Sequence, residues 1–198
     1  PQISDQGLTV SIPLRRDVLF HDGTRFDSEA MAFSLKRFMR IGTLNHILGD
    51  RIASVENPSP YILRLRLTRP SSSLNGLLTS INLTPVSPKA YEQHKDKFLN
   101  DKFIGTGPYK LKSFKSQQQQ LLPFSLYWNN PPNNSGINFI SLRNSTSLYG
   151  ALRSGEIDVL LSNSIDEDQR MSLNRIAKEG YLNEGEGSAM EIGYITFR

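Results

Sequence analysis

Apolar and polar residues alternate at the start of the chain: Leu8, Val10, Ile12 and Leu14 interleave with Thr9, Ser11 and Pro13. Period two marks a strand with one buried face. Pro13 lacks an N–H and so belongs on an edge or at a strand end. His21-Asp22-Gly23-Thr24 then predicts a turn, with Gly23 at the position suited to positive φ. Asp27 or Ser28 caps a helix starting near Glu29, whose Met31, Leu35 and Phe38 fall at i, i+4 and i+7 on one apolar face, and Gly42 ends it. Residues 51–68 predict a hairpin with arms over 52–55 and 61–68 and a turn at Asn57-Pro58-Ser59-Pro60. Tyr61, Leu63, Leu65 and Leu67 share its inner face, while Arg64, Arg66 and Thr68 point to a solvated one.

Shorter elements follow. A helix is expected over 74–79 and another over 88–94, with Pro88 at its first position. A charged loop over 95–102 leads to strands over 109–114 and 121–127, and the glutamines at 117–120 read as an exposed hairpin tip. Residues 129–136, rich in Asn and Pro, predict a boundary. Beyond it the pattern becomes β-α-β. Ile137 and Phe139 belong to a strand, Ser145 or Thr146 caps a helix with Leu148, Ala151 and Leu152 inward, and Gly155 ends that helix. Residues 157–161 read as a buried parallel strand. A helix over 166–178 opens on three acids, ends on Arg175 and Lys178 and stops at Gly180; a further strand is expected over 190–197. The expected fold is α+β in two parts, residues 1–130 and residues 131–198.

Composition narrows the functional classes. The 198 residues, 37% apolar and 21% charged, suffice for one core or two small ones. The net charge is +4, but its 23 basic and 19 acidic residues are interspersed and carry no interleaved stacking aromatics, so nucleic acid is not an expected partner. Absence of Cys removes disulfides, thiolate catalysis and Cys-based metal sites. Apolar runs span a few residues, far below the roughly 18–20 of a membrane helix. No basic-then-apolar leader precedes the first strand, and the chain stops at Tyr194-Ile195-Thr196-Phe197-Arg198 in an expected strand. Both ends are therefore read as interior points of a longer chain.

Candidate chemistry is sparse. His21, His46 and His94 stand far apart in no metal spacing, and neither a Gly-x-Ser-x-Gly elbow nor a phosphate loop occurs. Glu156 and Asp158 share one side of a strand if Ile157 begins one; they could then do acid–base work, or cap and pair with Arg or Lys at the strand entry. No catalytic residue, metal or cofactor is expected. Trp128, the only tryptophan, can serve as core, lobe surface or pocket wall beside Tyr127. Trp128 and Tyr109 are the aromatic candidates for contact with a solute. The stretch Phe103-Ile104-Gly105-Thr106-Gly107-Pro108-Tyr109-Lys110-Leu111 is a backbone device with no reactive group: Gly105 and Gly107 permit positive φ or close approach, and Pro108 fixes φ.

Four patches in order carry a resemblance: Leu14 to Phe26, containing Phe20-His21-Asp22-Gly23; Gly105-Thr106-Gly107-Pro108-Tyr109; Tyr127-Trp128; and Gly155-Glu156-Ile157-Asp158-Val159. Together they resemble the family 5 extracellular solute-binding proteins of ABC importers, which include oligopeptide, dipeptide and nickel receptors. Asp17 stands where that family usually has Gly, Ala30-Met31 replaces its Asp-Val, and the Gln tract departs from it. The resemblance implies a type II periplasmic-binding-protein-like fold, here an accessory lobe followed by an incomplete main lobe. It implies a monomeric receptor in the periplasm or outside the cell, free or lipid-anchored, that captures peptides or peptide-like solutes in a cleft between lobes. ABC permease subunits in the membrane would be its partners. Two other readings stay open: a mixed α/β hydrolase-type enzyme, which needs a nucleophile–base pair or a metal cluster, and a receptor-like sensory lobe of a regulator.

Overall fold

The computed structural model of the protein describes residues 1–185 apart from 43, 44, 47–49, 95, 96, 98, 100, 101, 162 and 163. The strand expected over 190–197 lies outside the described residues. The chain separates into two compact units, Pro1–Ile140 and Ser141–Arg198. No helix among the described residues is long and apolar enough to cross a membrane.

The first unit is built on an antiparallel sheet of β1 (Gln2–Ser4), β2 (Thr9–Pro13), β3 (Ile52–Ser59) and β4 (Ile62–Leu67), in the order β1-β2-β4-β3. Register places Val10 opposite Leu65 and Ile12 opposite Leu63, with Val55 facing Leu65 on the other side. Residues directly opposite each other project to one face, so Val10, Leu63, Leu65, Leu67 and Val55 form a single buried layer. Helix α1 (Ser28–Ile41) covers this layer with Ala32 and Leu35, while Met31, Phe38 and Met39 pack at its margin. Asp27 caps the helix by accepting from the Ala30 amide at 2.9 Å. The Ser28 hydroxyl donates to the Ser59 carbonyl and its amide to the Pro60 carbonyl, tying the helix start to the hairpin.

Two local expectations shift and a third holds. The hairpin turn sits at Pro60 and Tyr61, because Asn57-Pro58 is absorbed in a register irregularity between Glu56 and Ser59. Leu8 is exposed and Thr9 buried, because Leu8 leaves a tight 3-10 turn, Asp5–Gly7, before pairing begins. Arg64 and Arg66 do lie on the open face, where both reach the Glu56 carboxylate, at 3.6 and 2.8 Å.

The short helices α2 (Leu74–Leu77) and α3 (Pro88–Tyr91) lead to a second antiparallel sheet, β5 (Tyr109–Lys115), β6 (Gln118–Pro123) and β7 (Ile137–Ile140), in that order. The glutamines are not a hairpin tip. Ser116 and Gln117 make the two-residue turn, and Gln118, Gln119 and Gln120 pair with both neighbouring strands. Their amide side chains suit a half-exposed pleated surface, so composition there misreads the pairing. β7 also pairs with β6, which places Ile137 and Phe139 in the first unit rather than beyond a boundary at 130. Gly136 has φ of +147° and lies so close to the Leu121 carbonyl that a Cβ would meet its oxygen at 2.4 Å. Only glycine fits there.

The second unit contains α4 (Ser145–Ser154) and α5 (Glu167–Lys178). Asn144, rather than Ser145 or Thr146, caps α4 by accepting from the Ser147 amide at 2.9 Å. Gly155 ends it in the left-handed region at φ of +75°, as its spacing predicts. Asp166 precedes α5, with its amide donating to the Gln169 side chain at 3.2 Å. Residues 157–161 correct the sequence reading: they form no strand, and Val159 and Leu161 are 80% and 71% exposed. An extended apolar run becomes a buried strand only with hydrogen-bonding neighbours, and none of the described residues pairs with it.

Candidate functional site

Three of the four sequence patches converge in the first unit. Residues 18–26 fold back on themselves: the Phe26 amide donates to the Val18 carbonyl and the Phe20 amide to the Thr24 carbonyl, around Gly23 at φ of +81°. Phe20 is fully buried and meets Phe26 edge to face at 6.0 Å. This tight loop presents His21 and Asp22 to the rest of the unit.

Asp22 gathers donors. Its carboxylate accepts from the Ser87 hydroxyl at 2.5 Å, the Thr24 hydroxyl at 2.6 Å and the Thr24 amide at 3.0 Å. Burial pushes the Asp22 pKa up, but the hydrogen bonds from Ser87 and Thr24 outweigh it and hold the group below its ordinary value. Ser87 is fully buried, and its amide donates to the Ile104 carbonyl at 3.0 Å. The loop and the start of α3 are thus bound at one carboxylate, and the Ser87 amide ties them to the segment before Gly105.

His21 straddles the Gly-Thr-Gly turn. Its amide donates to the Gly105 carbonyl and its Nε2 to the Gly107 carbonyl, both at 2.9 Å. Because a carbonyl can only accept, Nε2 carries the proton. His21 Nδ1 is buried and finds no hydrogen-bond partner among the described residues. Gly105 and Gly107 contribute carbonyls, not special backbone: neither has positive φ, and a Cβ on Gly107 would meet open space. Thr106 sits between the two captured carbonyls, and the Pro108 carbonyl accepts from the Phe124 amide at 2.8 Å.

The aromatic candidates lie just beyond. Tyr109 opens β5 opposite Pro123, and its hydroxyl donates to Asn134 at 2.8 Å. Phe124 packs edge-on against the His21 ring at 5.1 Å, and a turn closed by Tyr127 N–H to the Phe124 carbonyl delivers Trp128. Trp128 is half-buried, with the Tyr127 ring at 5.0 Å and the Arg15 guanidinium 4.5 Å above its ring. Arg15 also pairs with Asp17 at 3.0 Å, and that hydrogen bond holds the Asp17 carboxyl below its usual range. Ser87 and Phe124 were not singled out in the sequence. A polar residue before Pro88, and an aromatic residue ending a strand, were the available signals.

A shallow hollow of about 140 Å³ opens between the end of α1 and residues 82–86, lined by Arg37, Phe38, Asn82 and Thr84 among others. Burial draws the Arg37 pKa down, opposed by Tyr91, over whose ring the guanidinium lies at 5.0 Å. The hollow is well below the roughly 300–1,000 Å³ of a closed ligand pocket, and Tyr109 and Trp128 do not line it. Among the described residues no group of three or more His, Asp or Glu could hold a metal ion. The fourth patch belongs to the second unit, where Gly155 caps α4 and Glu156 and Asp158 are exposed and off any strand.

The sequence model of the bacterial extracellular solute-binding proteins, family 5 Middle, matches residues 1–198. The chain belongs to that family. It is 25% identical over 197 residues to the probable D,D-dipeptide-binding periplasmic protein DdpA of Escherichia coli K12, covering 97% of this chain and 37% of that protein. It is 33% identical over 131 residues to the glutathione-binding protein GsiB of Salmonella paratyphi A, covering 64% and 25%. Among solved structures it superposes on MoaA from A. tumefaciens R10, a binding protein in complex with mannopinic acid, with a TM-score of 0.79 and 26% identity. That match covers 90% of this chain and 36% of the other. The chain therefore spans about a quarter to two fifths of the length of the relatives it matches.

Proposed function

We propose that the chain is part of the solute-binding receptor of an ABC importer, a binding protein and not an enzyme. It captures a peptide or peptide-like solute in the periplasm, free or lipid-anchored, as a monomer, and hands it to the membrane permease. The observation carrying this is the family match across every residue of the chain. The names of its relatives, a probable D,D-dipeptide-binding periplasmic protein and a glutathione-binding protein, favour small peptide-like solutes. In this reading the first unit is the accessory lobe and the second contributes to the main lobe. The comparisons lend no support to a hydrolase.

A cleft between lobes buries its solute on two sides, and both sides supply desolvated contacts. This chain would supply one wall. A receptor binding at about micromolar Kd gains about 8 kcal/mol, and losing half the contacts leaves millimolar binding or weaker. Calorimetry with dipeptides and glutathione, on this chain and on a receptor carrying both lobes, tests the reading. Tight binding by the two-lobe receptor and weak binding by the chain is expected. No binding of any peptide-like solute by the two-lobe receptor would overturn it.

A further inference from the structure

His21 sits in a closed circuit of contacts. It holds the Gly105 carbonyl with its amide and the Gly107 carbonyl with Nε2. The next residue of that turn, Pro108, holds the Phe124 amide, and the Phe124 ring returns to the imidazole at 5.1 Å. Phe124 in turn closes the turn that carries Tyr127 and Trp128. Arg15, six residues before His21, lies over the Trp128 ring. Both attachments of Trp128 therefore lead back to the segment that ends in His21.

We propose that His21 is a positioning residue for the Arg15–Trp128 pair, acting through Phe124 and fixing which face of the indole is presented to a solute. The last part rests on the receptor reading above; the positioning itself does not. A histidine suits the task because one side chain offers both a donor for the Gly107 carbonyl and a ring edge for Phe124. Glutamine retains the donor and loses the ring. Phenylalanine retains the ring and loses the donor. The two functions are thus separable by substitution.

Trp128 is the only tryptophan, so its emission and its acrylamide quenching report this place alone. The expected result for His21→Gln is a turn loosened about two- to tenfold, read as a marked rise in quenching and a weaker near-ultraviolet signal. Phe124→Leu, which leaves His21 in place and removes the same ring contact, gives the same change and serves if His21→Gln does not fold. His21→Phe stays near the wild-type signal, although it leaves the Gly107 carbonyl unpaired and lowers the urea midpoint. A general loss of stability would not order the variants in this way. Wild-type quenching in folded His21→Gln and Phe124→Leu overturns the proposal, as does a change in His21→Phe as large as in His21→Gln. Titrating the two-lobe receptor with the tightest-binding of the peptides separates the two readings. Altered quenching with unaltered peptide affinity keeps the positioning role and removes the solute-facing role of Trp128.

Discussion

Replacing Asp22 tests whether one carboxylate holds the junction of the first unit together. In Asp22→Ala, three donors lose their acceptor: the Ser87 hydroxyl, the Thr24 hydroxyl and the Thr24 amide. Their costs differ. Thr24 is half-exposed and regains water, whereas Ser87 is fully buried, and its other neighbour, the Thr24 hydroxyl, stands at the 3.5 Å limit of a hydrogen bond. A buried donor left unsatisfied costs about 1–3 kcal/mol, and the loss of a bond that water replaces about 0.5–1.5 kcal/mol. Asp22→Ala should therefore destabilise the protein by about 2–6 kcal/mol, against a total of about 5–15 kcal/mol for a typical domain. Urea unfolding then shows a midpoint lowered by about 1–3 M, at a slope of about 2 kcal/mol per M. Asp22→Asn keeps an acceptor oxygen and should lose less. The pH dependence adds a second check. Asp22 has its folded pKa held below the ordinary value, so its contribution is present above the unfolded value of about 3.9 and fades as pH falls through the folded pKa. The stability gap between wild type and Asp22→Asn should narrow on acidification in that window. Equal midpoints for wild type and Asp22→Ala, or a gap that widens in acid, would refute the reasoning.

Leu35→Ala removes a fully buried side chain from the helix–sheet core and should cost about 2–5 kcal/mol by calorimetric unfolding. Leu161→Ala, at a position 71% exposed, should stay within about 0.5 kcal/mol. A large loss at Leu161 would restore the buried strand that the structure lacks. Gly136→Ala forces a side chain into the Leu121 carbonyl at an unfavourable φ, and a loss of at least about 1–3 kcal/mol in chemical denaturation is expected.

Elements with a long period and a local reason were legible in the sequence. The α1 face of Met31, Leu35 and Phe38, the inward leucines of β4, and Gly155 at the end of α4 all follow from spacing and capping that a few neighbouring residues settle. Pairing was less legible, because a strand's partner lies elsewhere in the chain. Gln118, Gln119 and Gln120 look like a polar tip until β5 and β7 flank them, and residues 157–161 look like a buried strand, yet none of the described residues pairs with them. The junction was half legible. Residues 20–23 and 105–109 stood out as turns, but nothing in their order says that His21 reaches across 86 positions to Gly107, or that Ser87 supplies the donor between them.

The glycines sharpen the distinction between a recognisable pattern and a physical requirement. Gly105 and Gly107 draw attention in the sequence because such pairs often mark positive φ or a close approach. Here they do neither. A Cβ on Gly105 would meet the Pro85 carbonyl at an ordinary 3.7 Å, and one on Gly107 would meet nothing within 4 Å. What the junction uses is their carbonyls, which alanine also has. Gly107→Ala should consequently preserve the His21 hydrogen bond and, by narrowing the unfolded ensemble, leave stability unchanged or raise it by about 0.4–1 kcal/mol. Gly136, unremarkable in an Asn/Pro-rich stretch, should tolerate no such change. Urea midpoints for the two variants, taken side by side, decide the matter: a Gly107→Ala loss as large as that of Gly136→Ala would mean that the turn needs glycine for a reason other than its recruited carbonyls.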